Sequence, residues 1–158
     1  MHRIVVVCLA AAAMAGCRTS TPEPDVTVVS AIRSAGAPDR IHAINQAAFR
    51  HRGSSASLVP LLAEQDPQIR WGAAYVAALW ADDAADVEAL APHLADADEG
   101  VRAMIAGSLA GLGHAGARAA LSSLSGSPAM MPFSDPPLTV GRFATDALAA
   151  IDGAGGAR

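Results

Sequence analysis

The chain contains no lysine, and all 11 of its basic residues are arginines. Only 4% of the 158 residues are aromatic, and the two cysteines are Cys8 and Cys17. The formal net charge of −4 argues against a nucleic-acid-binding protein, because such proteins usually carry a basic patch. After residue 20 no stretch is long or apolar enough to span a bilayer. Hydrophobic residues make up 52% of the chain, many of them alanines, and this composition favours closely packed helices.

Residues 1–16 have the pattern of a signal peptide. Arg3 precedes an apolar run, Ile4 to Gly16, which is too short to cross a bilayer and has the length of a secretory apolar segment. Met14-Ala15-Gly16-Cys17 resembles the lipobox of bacterial lipoproteins, in which the cysteine is acylated and becomes the new N-terminus. The resemblance implies a lipid on Cys17 that anchors the protein to a membrane. An ordinary signal peptide cut near Ala15, or a retained segment, remains an alternative.

The residues after Cys17 indicate where the protein would lie. In enterobacterial lipoproteins an Asp at the next position retains the protein in the inner membrane, so Arg18 slightly favours the outer membrane. The expected location is the cell envelope, facing the periplasm or the exterior. Residues 17–24 are rich in Ser, Thr and Pro and are predicted to form a tether.

One helical pattern recurs along the rest of the chain. Its clearest copy begins at Asp98, a good N-cap, and ends near Gly113. The apolar residues of this copy recur at helical spacing and are Val101, Ile105, Leu109 and Leu112. A second copy starts at Asp66-Pro67, with Ile69, Ala73, Ala77 and Trp80, and a third contains Val140, Ala144, Leu148 and Ile151. A stripe that recurs in this way predicts stacked repeats.

Shorter helices are predicted around these three. Asp25 should cap a helix to about Ser34, with Val26, Val29 and Ile32 on its buried side. Asp39 should open the next helix, either in the template register (Ile41, Asn45, Phe49, Arg52) or in a better, rotated register (Ile41, Ile44, Ala48). The predicted partner helices contain Leu58, Leu61 and Leu62, then residues 84–94, then residues 117–124.

Asp66…Ile69-Arg70 and Asp98…Val101-Arg102 occupy the same repeat positions. Helix pairs with these residues resemble HEAT repeats, most closely the short bacterial kind also found in phycobilin-lyase-type proteins. The resemblance implies an all-α fold, an α-solenoid of three to four stacked HEAT-like helix pairs over residues 25–153. It also implies that Arg70 and Arg102 pair with a nearby Asp in the stack. Gly141 stands where the next Arg would be expected.

Two segments depart from the repeat. Residues 125–137 contain four prolines, which exclude a continuous helix and predict an insertion loop. Residues 154–158 are predicted to be a flexible tail.

Trp71 and Tyr75 are the first candidates for binding a partner. They follow Ile69 by two and six residues and are therefore expected on the outer face of their helix, next to each other. There they could form a shallow apolar shelf, since Trp and Tyr are enriched in binding hot spots. The alternative is that both cover the adjacent helix at the edge of the core.

Acidic and apolar residues supply the other candidates, which are Asp82, Asp83, Asp86, Glu88, Met130, Met131 and Phe133. The acidic stretch continues to Asp96, Asp98 and Glu99 and could face a basic partner. Its alternative is a solvated face with carboxylates at helix starts. The two methionines and the phenylalanine either seal the last repeat or offer an adaptable contact.

Catalytic and metal-binding motifs are not evident. His42, His51, His93 and His114 form no metal motif, and no serine lies in a Gly-x-Ser-x-Gly pattern. We therefore expect no catalytic residue, metal or cofactor, and a membrane-anchored scaffold or adaptor that binds an unknown protein. The alternatives are an enzyme or chromophore-handling protein of the HEAT-like lyase type, or a purely structural envelope protein.

Overall fold

The computed structural model describes residues 25–34, 37–132, 134 and 136–155, with the backbone alone at 37–39, 154 and 155. These residues form an all-α fold, which confirms that prediction, and the one extended pair among them is Met130 with Thr139. The α-helices are α1 (Val26–Arg33), α2 (Ala37–Arg50), α3 (Val59–Leu62), α4 (Pro67–Trp80), α5 (Ala84–Leu90), α6 (Glu99–Gly111), α7 (Ala115–Leu124) and α8 (Val140–Gly155). Two 3₁₀ helices span Ser55–Leu58 and Ala91–Ala95.

Several predicted features lie outside the described residues. They are the signal peptide, Cys17 and the tether to residue 24, Phe133 in the loop, and the last three residues of the tail. Within the described part, no helix combines the length and the apolar character that crossing a bilayer requires.

Aspartates begin the helices as predicted. Asp25 accepts a hydrogen bond from the Thr27 amide at 2.8 Å, and Asp66 accepts one from the Gln68 amide at the same distance. Asp98 accepts from the Val101 amide at 3.0 Å. Each contact gives a partner to an amide that the helix itself leaves unpaired. Gly113 has a φ of +81°, the left-handed conformation that glycine adopts readily, and it ends α6 as predicted.

Helix α6 lies at the centre of the core. It packs against α4 on one side and against α7 and α8 on the other. Three residues of the predicted stripe, Val101, Ile105 and Leu109, have no exposed surface and are confirmed, whereas the fourth, Leu112, follows the helix and is partly exposed. In α4 the stripe residues Ala73, Ala77 and Trp80 are 0 to 3% exposed, and Ile69 is partly exposed.

Two details of the first two helices differ from the sequence prediction, and one is confirmed. The buried side of α1 carries Val28, Ala31 and Ile32, because α1 packs against both α2 and α4. Of the predicted residues Ile32 is buried, Val29 is partly buried and Val26 is exposed. Helix α2 begins at Ala37, not at Asp39. Pro38 fits there because the amide that proline lacks has no helical partner in a first turn. The rotated register of α2 is confirmed, since Ile44 and Ala48 are buried.

The predicted helix over residues 84–94 is broken. α5 ends at Leu90, and a 3₁₀ helix continues to Ala95. Pro92 cannot donate the hydrogen bond that a continuous α-helix needs at that position, which explains the change. The C-terminal helix also departs from the prediction, because α8 continues two residues beyond Gly153 to Gly155.

The insertion loop folds against the start of α8. The Val140 amide donates to the carbonyl of Ala129 at 2.7 Å, and the Gly141 amide donates to the carbonyl of Ser127 at 3.0 Å. A Cβ atom on residue 141 would lie 2.7 Å from the Ser127 oxygen, too close for any side chain. The loop therefore explains why glycine stands where the repeat pattern has arginine.

Candidate functional site

Trp71 and Tyr75 do not form an exposed shelf. Trp71 is 3% exposed, so the predicted outer position of its ring is wrong. Trp71 Cδ1 and Pro132 Cδ both approach Gly100, at 3.4 and 3.0 Å from where a Cβ on that glycine would lie, so the insertion loop passes close to the indole ring. The Tyr75 ring stacks on Trp71 with 5.4 Å between centroids. The alternative, in which the pair belongs to the edge of the core, is confirmed.

Tyr75 is partly exposed and ties α4 to α2. Its hydroxyl donates to Oδ1 of Asn45 at 2.7 Å. The Trp80 ring nitrogen makes a second link between the same helices by donating to the carbonyl of Ala48 at 3.1 Å. Both aromatic side chains thus contribute to the fold through hydrogen bonds as well as packing.

Asp86, predicted on an acidic surface, is buried. Its exposed fraction is 5%. One carboxylate oxygen accepts from the Ser55 amide and the other from the Asp82 amide, each at 3.1 Å. Backbone donors on both oxygens replace the water that the carboxylate loses on burial. Asp86 therefore joins the start of α5 to the 3₁₀ helix at Ser55, and its predicted position on an exposed acidic surface is wrong.

The rest of the acidic stretch makes contacts within the chain, except Glu88, which is exposed on α5. Asp83 accepts from the Asp86 amide at 2.9 Å as the N-cap of α5, and Asp82 pairs with Arg52 at 3.0 Å. Glu99 accepts a short hydrogen bond from the Ser127 hydroxyl. The alternative of helix-start carboxylates accounts for most of the stretch.

Asp82, Asp83 and Asp86 lie near one another at the start of α5. One oxygen from each falls within 4.8 Å of the others. Helix capping, the Arg52 pair and the two amides bound by Asp86 account for this arrangement. The cluster therefore carries no argument for a metal.

The predicted role of Arg70 is confirmed. Its guanidinium makes a two-pronged ion pair with Asp96, with contacts of 3.0 and 3.1 Å. The exposed fractions of the two side chains are 12% and 7%. Arg102 differs, because its nearest carboxylate is Glu99 on its own helix, at 3.5 Å.

Met130 and Met131 point in different directions. Met131 is 5% exposed and packs with Leu121, Leu124 and Val140, which confirms the sealing alternative for this residue. Met130 is 54% exposed and remains available to a partner. Alternate burial of neighbouring residues is typical of extended backbone, and Met130 pairs with Thr139 in that conformation.

A groove of 480 Å³ opens beside α5, and we call it the α5–α7 groove. Its floor is apolar, from Val87 and Leu112, and Asp82 and Asp83 lie on one side of it. His114 and Ala115 lie on the other side, at the start of α7. Sequence reasoning placed Asp82 and Asp83 on a binding surface but did not include Leu112 or His114. Gly113 was the available signal, because its tight turn brings the start of α7 beside Leu112.

A second groove of 530 Å³ lies between α1 and α2, and we call it the α1–α2 groove. Val26, Ala43 and Ala47 supply apolar surface, and Arg50 and His51 lie at one end. His51 pairs with Asp25 at 3.1 Å across this end. A hydrogen bond from the Thr27 amide, helped by the charge of His51, lowers the pKa of Asp25.

No protein-family model matches this chain, and neither a curated protein nor a solved structure shows significant similarity to it. The function must therefore be argued from the residues themselves.

One histidine, His93, has a pKa below its usual value. Burial lowers the pKa of His93 below its usual 6.5, and the negative charge of Asp96 opposes this shift without cancelling it. His93 lies in the 3₁₀ helix next to the buried ion pair of Arg70. Its ring therefore favours the neutral state, which fits a packing residue.

Proposed function

We propose that this protein is a non-catalytic protein–protein interaction module of the bacterial cell envelope. In this proposal its helix pairs are HEAT-like repeats, three to four in number, stacked as an α-solenoid. The lipid on Cys17 holds the protein at a membrane, with the outer membrane slightly favoured, and the α5–α7 groove binds a segment of a partner protein.

Repeated contacts support the HEAT-like arrangement. Asp66 and Asp98 lie 32 residues apart and cap α4 and α6, which pack against each other. Arg70 and Arg102 each donate from Nη1 to the two carbonyls six and five residues upstream. Equivalent residues that make the same contacts one repeat apart are expected where a unit is stacked on a copy of itself.

The observation that carries the binding proposal is the composition of the α5–α7 groove. Val87 and Leu112 offer a partly exposed apolar floor, and Asp83 beside them is an exposed carboxylate. An apolar side chain flanked by a basic one would satisfy both features. Apolar burial supplies affinity in such contacts, and charge complementarity supplies orientation and association rate.

The walls of this groove are held in place before any partner arrives. Asp83 caps α5, Arg52 pairs with Asp82, and Asp86 ties the same turn to the Ser55 amide. A partner therefore needs to order little of this surface on binding, which lowers the entropic cost of the complex.

The proposal is tested by affinity capture from envelope extracts of the source cells, with the full chain as bait. Ala84 lies in the groove and is exposed, so Ala84→Arg should fill the groove without disturbing the core. Ala149 on α8 is equally exposed and outside the groove, and Ala149→Arg is the matched control. We expect one dominant partner with the wild type and the control, and its loss with Ala84→Arg. Equal recovery by all three baits would contradict a role for the groove.

A further inference from the structure

We infer that the end of the domain formed by α1 and α2 is a membrane-contact surface, which rests on anionic phospholipid headgroups with Phe49 and Val26 at the interface. This inference rests on the proposed attachment to a membrane. It specifies which face of the domain contacts the bilayer and which residues make that contact. The surface is defined by Val26 on α1 and by Gln46, Phe49 and Arg50 on α2.

Two apolar side chains stand out on this surface. Val26 is 78% exposed and Phe49 is 75% exposed, the highest values among the large apolar residues that the structure describes. Val26 and Gln46 both line the α1–α2 groove, and Phe49, which follows Gln46 by three residues, is its neighbour on α2 at the edge of the groove. Aromatic side chains are favoured at the level of lipid headgroups, where an apolar ring and polar neighbours are both accommodated.

Arg50 supplies the charge on this surface. It is exposed, and no carboxylate among the described side chains pairs with it. The nearby arginines are engaged, Arg33 with Glu64 at 2.6 Å and Arg52 with Asp82 at 3.0 Å. A guanidinium binds phosphate oxygens in a two-pronged geometry, and basic residues near an anionic leaflet are attracted to it. Arg50 is thus placed to meet a lipid phosphate at the same end of α2 as Phe49.

The chain that precedes α1 argues for a bilayer as the occupant. Cys17 lies eight residues before Asp25, so a lipid on it is within roughly 30 Å of the start of α1 even if the chain is fully extended. The apolar run that ends at Gly16 is equally near if it is retained. Either form of attachment brings Val26 and its surroundings closer to the bilayer than the α7 and α8 end of the domain.

The test measures quenching of a tryptophan by lipids that carry bromine in their acyl chains. The full chain with Phe49→Trp is purified from membranes and reconstituted in vesicles of brominated phosphatidylcholine and phosphatidylglycerol in equal parts. Met130→Trp is the matched control, because Met130 is also an exposed apolar residue and lies in the loop beside α8. The native Trp71 and Trp80 are buried, and the wild-type chain in the same vesicles gives their background emission.

We expect the indole introduced by Phe49→Trp to lose roughly half of its emission, as interfacial burial of its ring predicts, and the indole introduced by Met130→Trp to keep its emission. The loss should shrink in vesicles of brominated phosphatidylcholine alone, and also when Arg50→Glu is added. Equal quenching at both positions would overturn the inference.

Three other outcomes would also overturn the inference. They show whether the membrane contact fails alone or together with the proposed attachment. Vesicle-bound protein with no quenching at position 49 means that the anchor holds but this face does not touch the bilayer. Protein that does not sediment with vesicles excludes both the anchor and the contact. A doubled molecular mass, with the new indole shielded in the absence of lipid, assigns the surface to a second copy of the chain.

Discussion

At the scale of single residues, the ion pair between Arg70 and Asp96 is the contact that we expect to contribute most to the free energy of unfolding. Both side chains are nearly buried, and the guanidinium also binds the carbonyls of Glu64 and Gln65. Asp96→Asn would keep the shape of the side chain but leave a buried positive charge without a counter-charge. We expect a loss of roughly 3–5 kcal/mol in the free energy of unfolding, measured by urea denaturation.

The exposed pair of Arg142 and Asp146 on α8 is the control for that substitution. Their exposed fractions are 69% and 54%, so solvent screens the attraction. Asp146→Asn should leave the denaturation midpoint almost unchanged. If Asp96→Asn has an equally small effect, Arg70 and Asp96 do not hold the helices together.

His93 predicts a dependence of stability on pH. Its pKa is lowered in the folded protein, chiefly by burial, so the unfolded chain binds a proton at a higher pH than the folded one does. The stabilisation from His93 is therefore complete above pH 6.5 and is lost as the pH falls from 6.5 through the lower folded value. As the pH falls through that window, the unfolding free energy of the wild type should decrease relative to that of His93→Asn. A difference that stays constant with pH would contradict this role.

The sequence predicts the role of a residue correctly where its partners lie only a few positions away along the chain. Asp66 and Asp98 were identifiable because a cap involves amides two or three residues away. Asp86 and Trp71 were not, because their partners lie far along the chain. Asp86 needs the Ser55 amide, 31 residues away, and Trp71 lies near Pro132 in the insertion loop.

At the scale of elements, the meeting of the insertion loop with α8 predicts opposite effects for two glycines of one helix. A Cβ at Gly141 would lie 2.7 and 2.8 Å from the carbonyl oxygens of Ser127 and Ser125. Gly141→Ala must therefore displace backbone, and we expect a loss of about 1–3 kcal/mol in unfolding free energy.

Gly153 is the matched control because no atom lies within 4 Å of a Cβ placed there. Gly153→Ala should raise stability by up to about 1 kcal/mol, since alanine is the better helix former. Thermal unfolding of the two variants checks both signs. A destabilised Gly153→Ala together with a neutral Gly141→Ala would mean that the loop does not lie on α8.

The helices themselves were largely predictable, and the exceptions have local physical causes. The stripes of α4 and α6 were recognisable because their apolar residues recur at the helical period, although both helices also bury residues outside the stripe, Trp71 on α4 and Ala103 and Ala106 on α6. The register of α1 was not predictable, since its buried side depends on contacts with α2 and α4 together. Pro92 indicated the break after Leu90, but the helical spacing of the apolar residues favoured a continuous helix over this segment.

At the scale of the whole molecule, α6 joins the two hydrophobic clusters of the described part. Leu109 belongs to the cluster shared with α4, whereas Ala103 and Ala106 of the same helix belong to the cluster with α7 and α8. We therefore expect one cooperative unfolding transition. Leu109→Ala should lower the unfolding free energy by about 2–5 kcal/mol and leave the transition single. Two separate transitions in a calorimetric scan would show that the clusters unfold independently.

The two grooves could be predicted only in part, because a groove depends on how two helices lie beside each other and not on the apolar pattern within either helix. The acidic side of the α5–α7 groove was readable from Asp82 and Asp83, but its floor depends on how α5 lies beside the turn after α6. The α1–α2 groove follows from the register of α1, which leaves Val26 exposed.

The most direct test of the proposed function is site-specific photo-cross-linking in the source cells. A photo-reactive amino acid is placed in the full chain at Ala84, in the α5–α7 groove, or at Ala149 on α8, and adducts are identified by mass spectrometry. We predict one protein adduct at position 84 that is absent at position 149. The same adducts at both positions, or none at position 84 in a protein that accumulates normally, would contradict it.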